Sequence, residues 1–253
     1  MTIYEIISTV LSIIAIAIPI ITHLYNKFFK STKLKHYING QALLHFNLSG
    51  SYIEIDGVYE AQRNSTFIKK VTLQITRSTD NQKINLQWST FVSPVNQRLL
   101  GNYSSTFETA HPFRIENDSV VCAFVEYADL NNSANRTLNP LHLNLIQVAN
   151  ELFQTSITSF DEAKEKYIDT DQYKALKSEA MDFFYWKIGK YTAEIQTQFE
   201  NKLTTFTNEF EVNETSKSDL LHNFDEVLLA PLYNRYGLQT TMKPVQVELR
   251  EVP

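Results

Sequence analysis

Residues 67–77 read FIKKVTLQITR, and the spacing of their apolar side chains decides the class of the fold. Val71, Leu73 and Ile75 alternate with polar residues, the period-two pattern of a strand with one buried face. Ile68 belongs to the same side but stands three positions before Val71. The alternation therefore slips once, which predicts a β-bulge at Lys69–Lys70.

The same period runs outward in both directions. Ser51–Glu60 (SYIEIDGVYE) and Lys83–Val92 (KINLQWSTFV) are rich in Ile, Val, Thr, Tyr and Phe, and turn residues separate the three runs at NST (64–66) and STDNQ (78–82). Pro94 closes the third run, and Pro112–Glu116 and Val120–Tyr127 predict short strands around a turn at Asn117–Asp118. From Pro140 the period becomes helical. Leu141, Leu145, Val148, Ala149, Leu152 and Phe153 share one face; a second helix opens at Ser159, and a third carries Tyr173, Leu176 and Ala180. Alternation returns at Tyr191–Phe199 and Phe206–Val212. A helix through Leu220, Phe224 and Leu228 is expected to stop at Pro231, and Val245, Val247 and Leu249 predict a last strand. Seven or eight strands around a helical insertion near 140–182 predict a mainly β chain, specifically a two-sheet, immunoglobulin-like β-sandwich over residues 38–253. Trp88 and Trp186 are expected in its core, as is Cys122 within the apolar run VVCAFVEY.

A different physics governs the amino terminus. Ile6–Ile21 reads IISTVLSIIAIAIPII, with eight isoleucines and no charge. Extended to Tyr25, the run makes about 30 Å of helix, the thickness of a bilayer core. No Lys or Arg precedes it and no A-x-A site follows, which favours an uncleaved anchor over a signal peptide. Residues 1–26 are thus expected to form one transmembrane helix and residues 27–37 a basic juxtamembrane segment. Lys27, Lys30, Lys33 and Lys35 follow the span, while only Glu5 precedes it. The positive-inside rule then puts the amino terminus outside and the large domain in the cytoplasm, at an inner (cytoplasmic) membrane. The single cysteine agrees with a reducing compartment, and the seven N-x-[ST] triplets carry no weight there.

The span is not uniformly greasy. Glu5, Ser12, Pro19 and Asn26 recur at intervals of seven, and Ser8, Ala15 and Thr22 form the adjacent row. One stripe of polar and small residues results. In a bilayer such a stripe faces other helices or water: it is either a packing seam or the lining of a cation-preferring pore. Both need several copies, so a homo-oligomer is expected.

The soluble part offers little chemistry. There is no G-x-S-x-G, Walker-type loop or H-E-x-x-H, the glycines number only 6, and the histidines are scattered singly. Neither an enzyme nor a cofactor or metal site is expected. Beyond residue 37 the chain holds 19 basic and 27 acidic residues, a poor surface for duplex nucleic acid. The exception is Lys27, Lys30, Lys33 and Lys35 with His36. That cluster suits anionic lipid headgroups or, alternatively, an anionic nucleotide or short single strand.

The order of parts carries a resemblance: a bare span, a lysine flank, then a β domain beginning GSYIEIDGVYEAQRNSTFIKKVTLQITR (50–77) and continuing LQWSTFVSP (86–94). It resembles single-span membrane effectors of bacterial anti-phage systems, most of all the Hailong type. That resemblance implies a tetrameric, ligand-gated ion channel controlled by a DNA oligomer from a nucleotidyltransferase partner. The rival class is a membrane-tethered module that recruits a cytoplasmic partner and conducts nothing.

Overall fold

Strand β3 (Thr66–Arg77) carries the bulge its sequence predicts: its register against β8 (Gly189–Phe199) shifts between Ile68 and Lys70. On either side of the slip Ile68, Val71, Leu73 and Ile75 are buried. In this computed structural model the backbone is described for residues 2–28, 31–99, 102–155 and 157–252, and side chains at 26–28, 93–99 and 102–106 lie outside the description.

The chain opens with α1 (Ile3–Phe28), one apolar helix long enough to cross a membrane. Then come β1 (Lys33–Asn47), β2 (Gly50–Gln62), β3, β4 (Lys83–Leu99), β5 (Asn102–Thr109), β6 (Phe113–Ile115) and β7 (Ser119–Ala128). Helices α2 (Ser133–Leu152), α3 (Phe160–Ile168) and α4 (Asp171–Ala180) precede β8 and β9 (Lys202–Val212). Helix α5 (Glu214–Tyr236) leads to β10 (Val245–Glu248) and β11 (Arg250–Glu251).

The two-sheet expectation gives way to one antiparallel sheet, ordered β10-β1-β2-β7-β4-β3-β8-β9-β11. Its two ends are consecutive pieces of one segment, separated only by Leu249. The carboxy-terminal strand therefore lies against β1 on one side and β9 on the other, and the sheet curls nearly into a barrel. Alternating burial reads the same in a sandwich and in a barrel, so the period-two pattern does not separate them. Side chains fill the interior, among them Ile53, Ile55, Tyr59, Leu73, Tyr127 and Ile195, as a ring of about eight strands requires.

Strand β1 is the piece that sequence missed. The basic flank was expected to run to residue 37, but pairing with β2 starts at Lys33↔Gln62. A register shift between Ile38 and Ala42, at Gly40 with φ +82°, interrupts the strand. Cys122 corrects another expectation: it is exposed, because Ala123, Val125 and Tyr127 take the inward positions of β7. Both tryptophans are buried, and Trp186 Nε1 donates to the His45 carbonyl at 2.8 Å.

The helical insertion starts at Ser133, ahead of Pro140, which lies inside α2. Pro231 likewise lies inside α5, and the helix runs on until Gly237, at φ +65°, closes it. Buried Leu232 and Tyr233 beyond the proline account for the continuation. The helices cap the barrel end where β1 turns into β2: Phe46 meets Phe224 and Phe184 at ring centroids of 4.7 and 4.9 Å. The opposite end receives the chain from α1. There Thr32 donates to Glu200 Oε1 at 3.1 Å, beside the β8–β9 turn.

Candidate functional site

Helix α1 stands apart from the rest of the chain. None of its apolar window is buried against the other described residues, so its exposed side chains can meet lipid or other copies. Its 26 residues rise about 39 Å. Glu5, Ser8, Ser12, Ala15, Pro19 and Thr22 lie on this helix, whereas the side chain of Asn26 is outside the described residues. The Thr2 N–H donates to Glu5 Oε2 at 2.7 Å, half of a capping box. Thr9 Oγ1 donates to the Glu5 carbonyl at 2.7 Å and Ser12 Oγ to the Ser8 carbonyl at 2.9 Å. Those hydroxyl protons are already satisfied, yet each oxygen keeps a lone pair for a neighbour or for water. Pro19 supplies no N–H to the Ala15 carbonyl four residues earlier, which leaves an acceptor on the same stripe.

The basic cluster divides by strand parity. Lys33 is exposed and Lys35 stands 5.8 Å from the Tyr37 ring centroid, while the side chains of Lys27 and Lys30 are outside the described residues. Tyr37 in turn donates to Glu60 Oε2 at 2.7 Å. His36 falls on the other face of β1. Its ring stacks on Tyr59 at 4.3 Å and lies 5.4 Å from Phe206, and its buried Nδ1 has no hydrogen-bond partner among the described residues. Burial pushes the His36 pKa down to about 4, so the ring is neutral at pH 7 and adds no charge to the lysines. Its grouping with them is corrected on that ground.

The seam that closes the barrel was not legible in sequence. On the β9 side it consists of two residue pairs, Arg250↔Glu209 and Glu251↔Asn208. Val252 N–H to the Thr207 carbonyl at 3.0 Å extends it, and Leu249 N–H donates across to the Gly40 carbonyl at 2.9 Å. Cavities flank this short zipper. One of about 460 Å³ is lined by Lys190, Glu209, Glu211, Gln246, Glu248 and Arg250 among others. The other, of about 340 Å³, is lined by His36, Ile38, Phe206, Thr207, Asn208 and Glu251 among others. Among the described residues no three His, Cys, Asp or Glu side chains converge as a metal would need.

No protein-family model matches the chain, and no curated protein matches it. Among solved structures it is similar to a family 123 glycoside hydrolase from Clostridium perfringens, at 9% identity and a TM-score of 0.31, over 73% of this chain and 27% of that one. It is also similar to Spo0M, a sporulation control protein from Bacillus subtilis, at 7% identity and a TM-score of 0.26, over 76% of this chain and 54% of that one. The chain thus spans about a quarter and about half of those two proteins, and likeness this distant carries no functional argument.

Proposed function

We propose that this protein is an oligomeric, single-span membrane effector whose α1 helices assemble into a gated, cation-preferring pore. The barrel lies on the cytoplasmic side and controls it. The observation that carries this reading is the stripe of Glu5, Ser8, Ser12, Ala15, Pro19 and Thr22 on a helix whose apolar window none of the other described residues buries. Lipid offers such a stripe no partner, so copies turn it toward one another. Small residues on the facing side leave room for water, and a ring of Glu5 carboxylates at the outer mouth concentrates cations. By its resemblance the assembly is a tetramer in anti-phage defence, with an anionic nucleotide or oligonucleotide as regulator and a nucleotidyltransferase as its source. Lys33 and Lys35 face anionic headgroups or that regulator.

One observation favours a second reading. Thr9 and Ser12 bond to their own backbone, which also suits a dry packing seam. The protein is then a membrane-tethered barrel that recruits a cytoplasmic partner. Induced expression with a membrane-potential dye separates the two. Depolarisation by the full chain, absent when residues 1–26 are replaced by an unrelated span, supports the pore; unchanged potential at equal membrane abundance supports the tether.

A further inference from the structure

The bulge in β3 sets two lysines side by side. Ile68 and Val71 both face the core, and the register slips between Ile68 and Lys70, so Lys69 and Lys70 are both exposed. A regular strand would turn Lys70 inward with Ile68. Phe67, just before them, is 44% exposed. On β8, the exposed Gln198 pairs with Lys70 on one side and with Leu203 on the other. Leu203 is 63% exposed, next to the exposed Lys202. Two bulky apolar side chains and three lysines thus share one outer corner of the barrel. None of the three lysines forms an ion pair among the described residues.

The chain arrives from α1 at this same corner. Thr32 Oγ1 and Thr66 Oγ1 donate to Glu200 Oε1 at 3.1 and 3.4 Å, and the Glu200 N–H donates to the Phe67 carbonyl at 3.4 Å. Glu200 therefore ties together the segment entering β1, the start of β3 and the β8–β9 turn. Phe28 ends α1 and Lys33 opens β1, and five peptide steps reach at most about 18 Å. A helix of about 39 Å overruns a bilayer core of about 30 Å, so its last turns stand among the headgroups. So short a link holds the corner at the membrane surface.

We propose that this corner rests on the bilayer, with Phe67 and Leu203 entering the interfacial layer and Lys69, Lys70 and Lys202 meeting anionic headgroups. The inference rests on the reading of α1 as a membrane span, but not on conduction. Apolar side chains among lysines are the composition of surfaces that lie in a lipid interface, and anionic lipid attracts each lysine brought near it. Lipid is the occupant because the tether presents this corner to it in every copy, whatever the oligomeric state.

The test is fluorescence quenching of the full-length protein in phosphatidylcholine liposomes, with and without about one-third phosphatidylglycerol. The liposomes carry nitroxide lipids labelled either near the headgroup or deep in the acyl chain. An environment-sensitive fluorophore is attached to one introduced cysteine in a Cys122→Ser background. Leu203→Cys probes the corner, Ile13→Cys probes α1, and Asn81→Cys probes the exposed β3–β4 turn at the other end of the barrel. The shallow nitroxide is expected to quench the Leu203 probe at least about twofold more than the Asn81 probe when anionic lipid is present. Combining Lys69→Gln, Lys70→Gln and Lys202→Gln is expected to remove about half or more of that difference. If the triple variant does not fold, wild-type protein at high salt makes the same comparison.

Quenching of Ile13 by the deep nitroxide, with Leu203 quenched no more than Asn81, overturns the inference and leaves the span intact. A blue-shifted but unquenched Leu203 probe overturns it too, in favour of a protein contact. Quenching indifferent to anionic lipid, lysine replacement and salt overturns the headgroup contact. An unquenched Ile13 probe removes the span itself, and the docked corner with it.

Discussion

The Thr2 backbone N–H donates to Glu5 Oε2 at 2.7 Å, so the one acidic residue of α1 is held at the helix's own amino terminus. Its charge complements the helix dipole there, and its side chain is fixed at the mouth of the proposed pore rather than free in solvent. Two roles thus meet in one residue. The capping geometry survives replacement by Gln, which is the other residue a capping box accepts, but the charge does not.

Glu5→Gln is therefore expected to lower the preference for K⁺ over Cl⁻ in reversal-potential measurements while helicity and membrane abundance stay unchanged. Glu5→Ala removes the cap as well and costs a further ~0.3–1 kcal/mol of helix stability. Unaltered selectivity in Glu5→Gln would remove Glu5 from the permeation path.

Histidine burial makes the barrel sensitive to mild acid. Burial lowers the pKa of both His36 and His45 from 6.5 to about 4. Between those values the unfolded chain binds protons that the folded one does not, so stability is complete above pH 6.5 and falls as pH drops toward 4. At pH 5 the loss is on the order of 2 kcal/mol for each ring. Melting temperatures measured from pH 7.5 to 4.5 should show this slope, and the double variant His36→Phe/His45→Phe should flatten it.

Arg77 is buried at the end of β3 and hydrogen-bonds to both Asp80 oxygens, to the Tyr185 carbonyl and to the Gln82 side chain. The hydrogen bonds from Arg77 hold Asp80 down to about 2. A depressed carboxylate contributes stability that is present above its ordinary pKa of 3.8 and lost as pH falls toward 2. Asp80→Asn should destabilise the domain at pH 7, because the guanidinium keeps its burial and loses its counter-charge. It should also remove the part of the acid transition between pH 4 and 2, read by circular dichroism. A wild-type acid profile in Asp80→Asn would contradict this.

How much of this was readable beforehand differs by element. The bulge at Lys69–Lys70 and the long apolar helix over Ile6–Ile21 were legible because each rests on a local pattern of side chains. Ser159 also marks its helix start as expected, directly before Phe160. Strand β1 was hidden because Gly40 breaks its alternation and its lysines resemble a membrane flank. Closure of the barrel depends on one short segment pairing with β1 and β9 at once, a long-range fact without local signature. His36 was read as a cation from its neighbours in sequence, although period two already puts it on the face opposite Lys33, Lys35 and Tyr37.

That closing segment is itself testable. Truncation after Lys243 removes β10 and β11 and leaves the facing edges of β1 and β9 unpaired. Exposed edges pair with other chains, so the truncated protein should aggregate or exchange strands at concentrations where the full chain stays discrete. Size-exclusion chromatography with light scattering distinguishes these outcomes, and an unchanged elution profile would show that the seam is dispensable.

Single-channel recording in planar bilayers, comparing Ser12→Leu with Ile13→Leu, tests the central claim most directly. Ser12 lies on the stripe and Ile13 on the exposed apolar face of the same helix, so both variants place one leucine at nearly the same depth. The pore account predicts cation-selective openings in wild type and Ile13→Leu, and their suppression in Ser12→Leu. Equal conductance in the two variants, or none from wild-type protein with nucleotide and oligonucleotide mixtures added or withheld, would contradict it and leave the stripe a packing seam.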